Sequence, residues 1–316
     1  MITLSNVSKK FGARTVLDDI SFTVAPGEVL VLLGTSGSGK TTLLRTINRL
    51  LPVDSGRITV KDQDIESMAP ELLRRQMGYV LQHHGLFPHY TVAENIGLVP
   101  GLLGWDKHRI QQRVHSLLEK IHLSPAEHAA LYPAQLSGGQ QQRVGLARAL
   151  AAQPPILLMD EPFGALDPVT RYHVRKELMS LDEIRDKTIV LVTHDVEEAF
   201  ALGHRICLLH EGRIQQLGRP AELLLRPAND FVQRFFAAQR LSLEWKTIDL
   251  KTLWPYLPAA APDTAAPVMH AQQSSWDALE FLNAHSGTTL NIEEGGARKS
   301  VDSAGLINAI KQYKEA

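Results

Sequence analysis

Three short stretches of the chain are apolar without interruption, and each ends in glycine or polar residues. They are EVLVLLG (28–34), PILLMDE (155–161) and TIVLVTHD (188–195). A strand with one face in water alternates apolar and polar residues, whereas a continuous apolar run indicates a strand of a parallel sheet that helices cover on both faces. Open α/β sheets bind ligands at the carboxyl ends of their strands. We therefore predict an α/β fold with a functional site where these runs end.

A helical pattern follows the first apolar run directly. In TTLLRTINRL (41–50), Leu43, Ile47 and Leu50 recur at the spacing of one helical face. The pattern predicts a strand, a short glycine-containing loop and a helix in succession.

The region between the first two apolar runs is also helical in pattern. Residues 105–121 repeat apolar positions at helical spacing, and another helix is predicted to begin near Gly139. Residues 85–153 are therefore predicted to form a helical subdomain inserted between strands of the core. Further on, RICLLHEGRIQQLG (205–218) has the pattern of a hairpin that turns at Glu-Gly.

The composition of the chain changes near residue 240. WPYLPAAAPDTAAPV (254–268) holds four prolines and five alanines, which is typical of a linker. We predict a main domain over 1–240, a Pro/Ala-rich linker over 241–267 and a small α+β appendage over 268–316. In the appendage, two helical stripes flank a short alternating segment and a Glu-Gly-Gly turn.

Composition and charge narrow the classes of partner. The chain has 316 residues, with 33 basic and 34 acidic side chains. Because proteins that coat nucleic acid usually carry a basic surplus, we expect no nucleic-acid partner. A single cysteine, Cys207, precludes an internal disulfide and fits a reducing compartment. No apolar stretch approaches the ~20 residues that cross a bilayer, so any membrane path is expected to belong to another chain.

A phosphate-binding motif follows the first apolar run. Its pattern is G-x-x-x-x-G-K-[ST], and it predicts binding of a nucleotide with Mg²⁺, because backbone N–H groups and the following helix N-terminus surround the phosphates. Lys40 is expected to reach the β- and γ-phosphates, and the hydroxyl of Thr41 to ligate Mg²⁺. The motif and the residue after it are Gly34, Thr35, Ser36, Gly37, Ser38, Gly39, Lys40, Thr41 and Thr42.

Polar residues with catalytic chemistry end the other two runs. Asp160 and Glu161 are adjacent on a strand, so their side chains point to opposite faces and serve different purposes. Asp160 is the expected Mg²⁺ ligand, and Glu161 the general base that activates water. His194 ends the third run, where it could orient the water and contact the γ-phosphate.

A further motif, Leu136-Ser137-Gly138-Gly139-Gln140, precedes the predicted helix near Gly139. With it, the chain resembles the ABC (ATP-binding cassette) ATPases, whose signature is LSGGQ, and the resemblance extends over roughly residues 1–238. Gln82 matches the glutamine that senses Mg²⁺, and Phe11 matches the aromatic residue that stacks on adenine. Asp167 ends the Gly164–Asp167 segment, in which the family usually has serine at the first position.

The resemblance implies a P-loop NTPase fold and ATP hydrolysis by a head-to-tail dimer. The partner is expected to be a second copy or a homologous ATPase subunit. Each ATP would lie between the phosphate loop of one subunit and the signature of the other, whose helix N-terminus faces the γ-phosphate. Glu161, His194 and Gln82 would be the catalytic residues, with Thr41, Gln82 and Asp160 around Mg²⁺. Asp167 would communicate between the two sites.

Several segments resemble one subfamily, the importers of quaternary-ammonium osmoprotectants such as glycine betaine, choline and carnitine. They are Asn48–Leu50, Gly85–His89, Thr91–Ile96 and residues 160–171. The resemblance implies integral membrane permease subunits facing residues 83–98, an indirect solute-binding protein, and a peripheral position on the cytoplasmic face of the membrane. We interpret the three histidines of this region as part of a polar interface surface rather than as a metal site. They are His83, His84 and His89.

Two alternatives remain open at this stage. One is an importer of another small solute, such as a polyamine or an amino acid. The other is a soluble ABC ATPase acting on ribosomes or DNA, although such members usually carry two cassettes or a long coiled coil.

The appendage, residues 268–316, resembles half of a tandem pair of CBS modules, and we predict a degenerate single CBS-like regulatory module or a packing appendage without a ligand.

Overall fold

The computed structural model describes residues 1–82, 85–164, 166–258, 266–285 and 288–315. Its contacts divide the chain into two compact units, Met1–Leu217 and Gly218–Ala316. His83, His84 and Ala165 of the predicted motifs lie outside the described residues, as does the central part of the predicted linker. No helix among the described residues is long and apolar enough to span a bilayer.

The strands include the three apolar runs and the hairpin that the sequence predicts, together with further strands in both units. They are β1 Ile2–Phe11, β2 Arg14–Val24, β3 Val29–Gly34, β4 Ser55–Val60, β5 Gln63–Asp64, β6 Met77–Val80, β7 Ile156–Asp160, β8 Thr188–Val192, β9 Arg205–His210, β10 Arg213–Gly218, β11 Val268–His270, β12 Leu290–Glu294 and β13 Ala297–Val301.

The helices alternate with these strands in the first unit and cluster in the inserted region and the second unit. They are α1 Lys40–Ile47, α2 Pro70–Arg75, α3 Val92–Leu102, α4 Lys107–Lys120, α5 Pro125–His128, α6 Gly138–Leu150, α7 Pro168–Ser180, α8 Asp182–Arg185, α9 Val196–Leu202, α10 Pro220–Leu225, α11 Asp230–Phe236, α12 Arg240–Thr247, α13 Leu250–Leu253, α14 Ser275–Ala284 and α15 Ser303–Glu315.

The three apolar runs are neighbours at the centre of a six-stranded sheet. The order is β10-β9-β3-β8-β7-β6, and β9, β3, β8, β7 and β6 run parallel. Every residue of β3, β7 and β8 is buried, as continuous apolar strands in a sheet covered on both faces should be. Their carboxyl ends therefore meet at one edge, which gathers Gly34, Asp160 and the residues after Val192.

A four-stranded antiparallel sheet, β2-β1-β4-β5, packs against the central sheet through a shared apolar core. The turn from β1 to β2 carries Phe11, which pairs with Arg14 across Gly12 at φ 59°. This turn thus places an aromatic ring and a guanidinium on one exposed corner.

Residues 85–153, which were predicted to form a helical subdomain, contain α3 to α6, and these helices lie between β6 and β7 in the chain. Two of its helices begin with reciprocal caps, at Thr91 with Glu94 and at Ser137 with Gln140. The helix after the phosphate loop is shorter than its pattern predicted. It ends at Ile47 because Arg49 adopts a left-handed φ of 53°, and this leaves Leu50 half-exposed.

The second unit has its own three-stranded sheet, β11-β12-β13, with α14 and α15 and a separate apolar core. Residues 241–257, which were predicted to be part of the Pro/Ala-rich linker over 241–267, are instead folded. They form α12, α13 and a 3-10 turn at Trp254–Tyr256, because Trp245, Leu250 and Leu253 anchor them in that core. The division between the units also falls at Leu217/Gly218 rather than near residue 240.

Candidate nucleotide-binding site

The phosphate loop connects the end of β3 to the start of α1, as predicted. A Cβ on Gly34, at φ 153°, would lie 2.1 Å from the Leu209 carbonyl oxygen. A Cβ on Gly39, at φ 101°, would lie 2.7 Å from the Val16 carbonyl oxygen. Both positions therefore require glycine for space as well as for backbone conformation.

Lys40 is 6% exposed and folds back over the loop. Its Nζ donates hydrogen bonds to the carbonyl oxygens of Gly34 at 2.9 Å and Thr35 at 2.8 Å. Burial lowers the pKa of Lys40, and the carboxylates of Glu161 and Asp160 oppose that shift. The ammonium is thus held inside the loop, where the motif requires a cation.

Asp160 lies beneath the loop and is 1% exposed. The Thr41 hydroxyl donates to its Oδ1 at 2.8 Å, and the Tyr79 hydroxyl lies 3.5 Å from its Oδ2. Arg45 is within 3.8 Å of the same oxygen. Burial raises the pKa of Asp160, and it raises that of Tyr79 to about 12, so Tyr79 remains a neutral donor. A hydroxyl and a carboxylate at this separation form a donor set that suits a hard cation such as Mg²⁺.

Three residues that sequence patterns marked separately converge on one carboxylate oxygen. Glu161 Oε2 accepts from Gln82 Nε2 at 3.1 Å and lies 3.2 Å from His194 Nδ1. Glu161 has a left-handed φ of 45°, and its N–H donates to the Val192 carbonyl oxygen at 3.0 Å. This backbone geometry turns the Glu161 side chain away from Asp160 and toward the other two.

A cleft of about 690 Å³ joins these groups. Phe11, 49% exposed, supplies its aromatic wall. Arg14 and Val16 also line it, although sequence patterns did not mark either one. The lining residues are Phe11, Arg14, Val16, Ser36, Gly37, Gly39, Lys40, Thr41, Thr42, Gln82, Glu161 and His194. Thr35 and Ser38 line an adjoining cavity of about 410 Å³.

The signature residues Ser137, Gly138, Gly139 and Gln140 do not line this cleft. They form the start of α6, where Ser137 and Gly138 are exposed and Gly139 and Gln140 are half-buried. Ser137 Oγ accepts from the Gln140 N–H at 3.3 Å. The N–H of Ser137 in turn donates to Gln140 Oε1 at 2.9 Å. The signature is thus a capped helix N-terminus that does not line the cleft of its own chain.

Asp167 caps α7 and accepts from the N–H groups of Val169 and Thr170, both at 3.1 Å. A side-chain hydrogen bond with Thr170, followed by these backbone hydrogen bonds, lowers the pKa of Asp167. Arg171, the last residue of the 160–171 segment, donates to the Leu166 carbonyl oxygen at 2.9 Å and pairs with Asp195 at 3.1 Å. The loop before α7 is therefore tied to the residue that follows His194.

Comparison with known proteins identifies the family. The chain is 48% identical over 257 residues to the glycine betaine uptake system ATP-binding protein YehX of Escherichia coli, covering 81% of this chain and 82% of that protein. The chain belongs to the ABC transporter ATP-binding proteins. The family model described as ABC transporter matches residues 17–164 of this ABC ATPase, which include the phosphate loop and the signature.

Other relatives extend the likeness. The ABC ATPase is 48% identical over 242 residues to the glycine betaine/carnitine/choline transport ATP-binding protein OpuCA of Bacillus subtilis, covering 76% of this chain and 63% of that one. It therefore spans less than two thirds of that relative. A solved structure, the dimeric post-hydrolysis state of the ATP-binding cassette MJ0796 bound to ADP and Pi, is 34% identical with a TM-score of 0.62. It covers 69% of this chain and 98% of that cassette.

Proposed function

We propose that this ABC ATPase binds ATP with Mg²⁺ and hydrolyses it to drive import of a quaternary-ammonium osmoprotectant. The observation that carries the proposal is the convergence of Gln82 and His194 on Glu161 Oε2 beside the phosphate loop. The names of the relatives, which include glycine betaine, choline and carnitine transport, support the class of solute.

In the proposed site, the chain's own groups bind and orient the nucleotide. Phe11 stacks on the base, and Lys40 exchanges its two carbonyl partners for phosphate oxygens. Thr41, Asp160 and Gln82 would hold Mg²⁺, which would supply positive charge against the phosphates of the nucleotide. Tyr79 and Arg45 keep Asp160 in place from the far side.

Glu161 accepts the proton of the attacking water, because its carboxylate lines the cleft beside the phosphate loop. Gln82 and His194 fix the orientation of the carboxylate and of the water. Replacement of Glu161 by Gln retains the shape and removes the base, so hydrolysis should fall ~10²–10⁴-fold while ATP binding persists. Steady-state turnover and equilibrium nucleotide binding test this, and near-normal turnover would exclude Glu161 as the base.

Dimerisation completes the site in this proposal. Ser137 and Gly138 are exposed and Gly139 is half-buried at the start of α6. In the dimer these residues face the ATP of the second subunit, and the N-terminus of α6 adds its helix dipole at the γ-phosphate. Asp167 lies on the loop through which the two ATP sites of the dimer would communicate. The dimeric cassettes among the similar structures support this arrangement.

A permease is the proposed partner of the helical subdomain. An apolar groove of about 830 Å³ lies on α3 and α4, lined by residues that include Leu98, Leu102 and Ile110. The groove suits an amphipathic helical segment. The subunit would then be peripheral on the cytoplasmic face of the membrane, with a solute-binding protein acting through the permease.

A single half-CBS-like module in the second unit is proposed to regulate the transporter.

A second candidate is import of a different small solute. It is favoured by a 45% identity over 235 residues to the sulfate/thiosulfate import ATP-binding protein CysA of Nocardia farcinica. Uptake by vesicles that contain the chain and its permease, with labelled glycine betaine, choline and sulfate compared, discriminates the two. Sulfate uptake without betaine uptake would overturn the first proposal, and Glu161→Gln should abolish whichever uptake occurs.

A further inference from the structure

His128, the last residue of α5, contacts the signature from outside the motif. Its Nε2 lies 3.3 Å from the side-chain nitrogen of Gln140, and its Nδ1 lies 3.0 Å from the Ser124 carbonyl oxygen. The imidazole therefore bridges the backbone of α5 and the first turn of α6.

The hydrogen-bond partners allow one assignment of donors and acceptors. Gln140 Oε1 accepts from the Ser137 N–H at 2.9 Å, which fixes the amide so that its NH₂ group faces His128. The Ser124 carbonyl oxygen is an acceptor only, so Nδ1 carries the hydrogen and Nε2 presents a lone pair to Gln140. His128 thus acts as the acceptor that holds the Gln140 amide in the orientation that caps Ser137.

We propose that His128 is a positioning residue for the signature, and that it acts through Gln140 on Ser137 and thereby on the ATP of the partner subunit. The inference rests on the head-to-tail dimer proposed above. Without the acceptor, the Gln140 amide is free to rotate, and the Ser137 N–H loses its partner at the helix N-terminus. The affected site belongs to the other subunit, because Ser137 does not line the cleft of its own chain.

The preceding segment has a separate anchor. Gln141 Nε2 donates to the carbonyl oxygens of Pro133 at 3.0 Å and Leu136 at 3.2 Å. Loss of the His128 contact should therefore alter the cap at Ser137 without unfolding the loop that leads to it.

A set of substitutions separates hydrogen bonding from shape. His128→Phe retains a ring without an acceptor, and His128→Gln returns an acceptor. His108→Phe, at an exposed position of α4, is the matched control. Loss of one net hydrogen bond predicts about two- to tenfold lower turnover for His128→Phe, with ATP binding by the isolated subunit unchanged. His128→Gln should recover most of the turnover, and His108→Phe should match the wild type.

Mixed dimers with two affinity tags give the decisive test. When Lys40→Ala and His128→Phe lie in the same subunit, the one working site pairs the wild-type phosphate loop with the altered signature, and turnover should fall. When they lie in different subunits, the working site has an intact signature. Turnover should then equal that of the mixed dimer of one Lys40→Ala subunit with one wild-type subunit. Equal effects in both arrangements would overturn the inference and assign His128 a general structural role.

A control dimer distinguishes failure of the underlying proposal. Lys40→Ala mixed with Ser137→Trp should retain one working site. If this dimer is inactive while each wild-type mixture is active, the head-to-tail arrangement fails and the inference about His128 fails with it. If it is active and the two arrangements of His128→Phe do not differ, only the inference is lost.

Discussion

Glu198 offers a test of the electrostatics beside the His194 loop. Its carboxyl group is 3% exposed, and burial raises its pKa from 4.5 to about 7, aided by Asp195 and opposed by Thr193, Arg175 and Arg171. The Thr193 hydroxyl donates to Oε2 at 2.5 Å, whereas Oε1 has no hydrogen-bond partner among the described residues. Thr193 directly precedes His194, so this group supports the candidate catalytic loop.

The direction of the pH effect follows from the raised pKa. Between pH 4.5 and about 7 the folded protein holds the Glu198 proton more tightly than the unfolded chain does, so this contribution to stability falls as pH rises through that window. A difference of about 2.5 pKa units corresponds to about 3 kcal/mol. Glu198→Gln cannot ionise and keeps an acceptor for Thr193. The difference in the free energy of unfolding between the variant and wild type should therefore be about 3 kcal/mol larger, in favour of the variant, at pH 8 than at pH 4.5.

The assay is unfolding of wild type and variant by urea across this pH range, with amide hydrogen exchange in β8 and α9 as the local probe. Glu197→Gln removes the same charge at an exposed neighbouring position and controls for long-range effects. Because other titrating groups are common to both proteins, their contributions cancel in the difference. A difference between wild type and Glu198→Gln that does not vary with pH would refute the reasoning.

Three further outcomes are expected. Lys40→Ala should weaken equilibrium ATP binding, because it removes the cation enclosed by the loop; unchanged affinity would argue against the role of Lys40. Ser137→Trp should spare ATP binding by the monomer but block ATP-dependent dimerisation in gel filtration, and loss of monomer binding would count against the partner-site assignment. Glu244→Ala removes the buried partner of Arg240 and Lys314 in the second unit. It should lower that unit's stability by about 1–3 kcal/mol in tryptophan-monitored unfolding, and an unchanged midpoint would contradict this.

The central sheet and the phosphate loop could be predicted because their signals are local. A run such as EVLVLLG is apolar throughout since both faces are covered, and the glycines that follow are required by close backbone approach. The meeting of Glu161 and His194 followed from the expectation that parallel strands end at one edge, whereas Gln82 was marked only by the family resemblance. The roles assigned to these residues remain predictions.

Other parts of the site depend on neighbours that are distant in sequence. Tyr79 reaches Asp160 only because β6 lies beside β7, and Arg45 does so only because α1 packs near β7. Neither fact is encoded in a local pattern. The linker prediction failed over 241–257 for a different reason. The Pro/Ala-rich stretch begins only at residue 254, and the prediction extended the linker back over the apolar anchors Trp245, Leu250 and Leu253. The CBS-like assignment of residues 268–316 stays a prediction.

The position of β3 in the sheet has a consequence for synthesis of the protein on the ribosome. This strand carries the phosphate loop, yet its neighbours in the sheet are β8 and β9, with Leu30 paired to Val190 and to Arg205. The ribosome adds about 5–20 residues per second, so many seconds pass between the synthesis of β3 and that of its partner strands β8 and β9. The nascent chain therefore exposes one of its most apolar segments until most of the first unit has been translated, and contacts so distant in sequence form slowly. Synthesis, rather than local folding of the loop, sets the earliest moment at which this ATPase can hold a nucleotide.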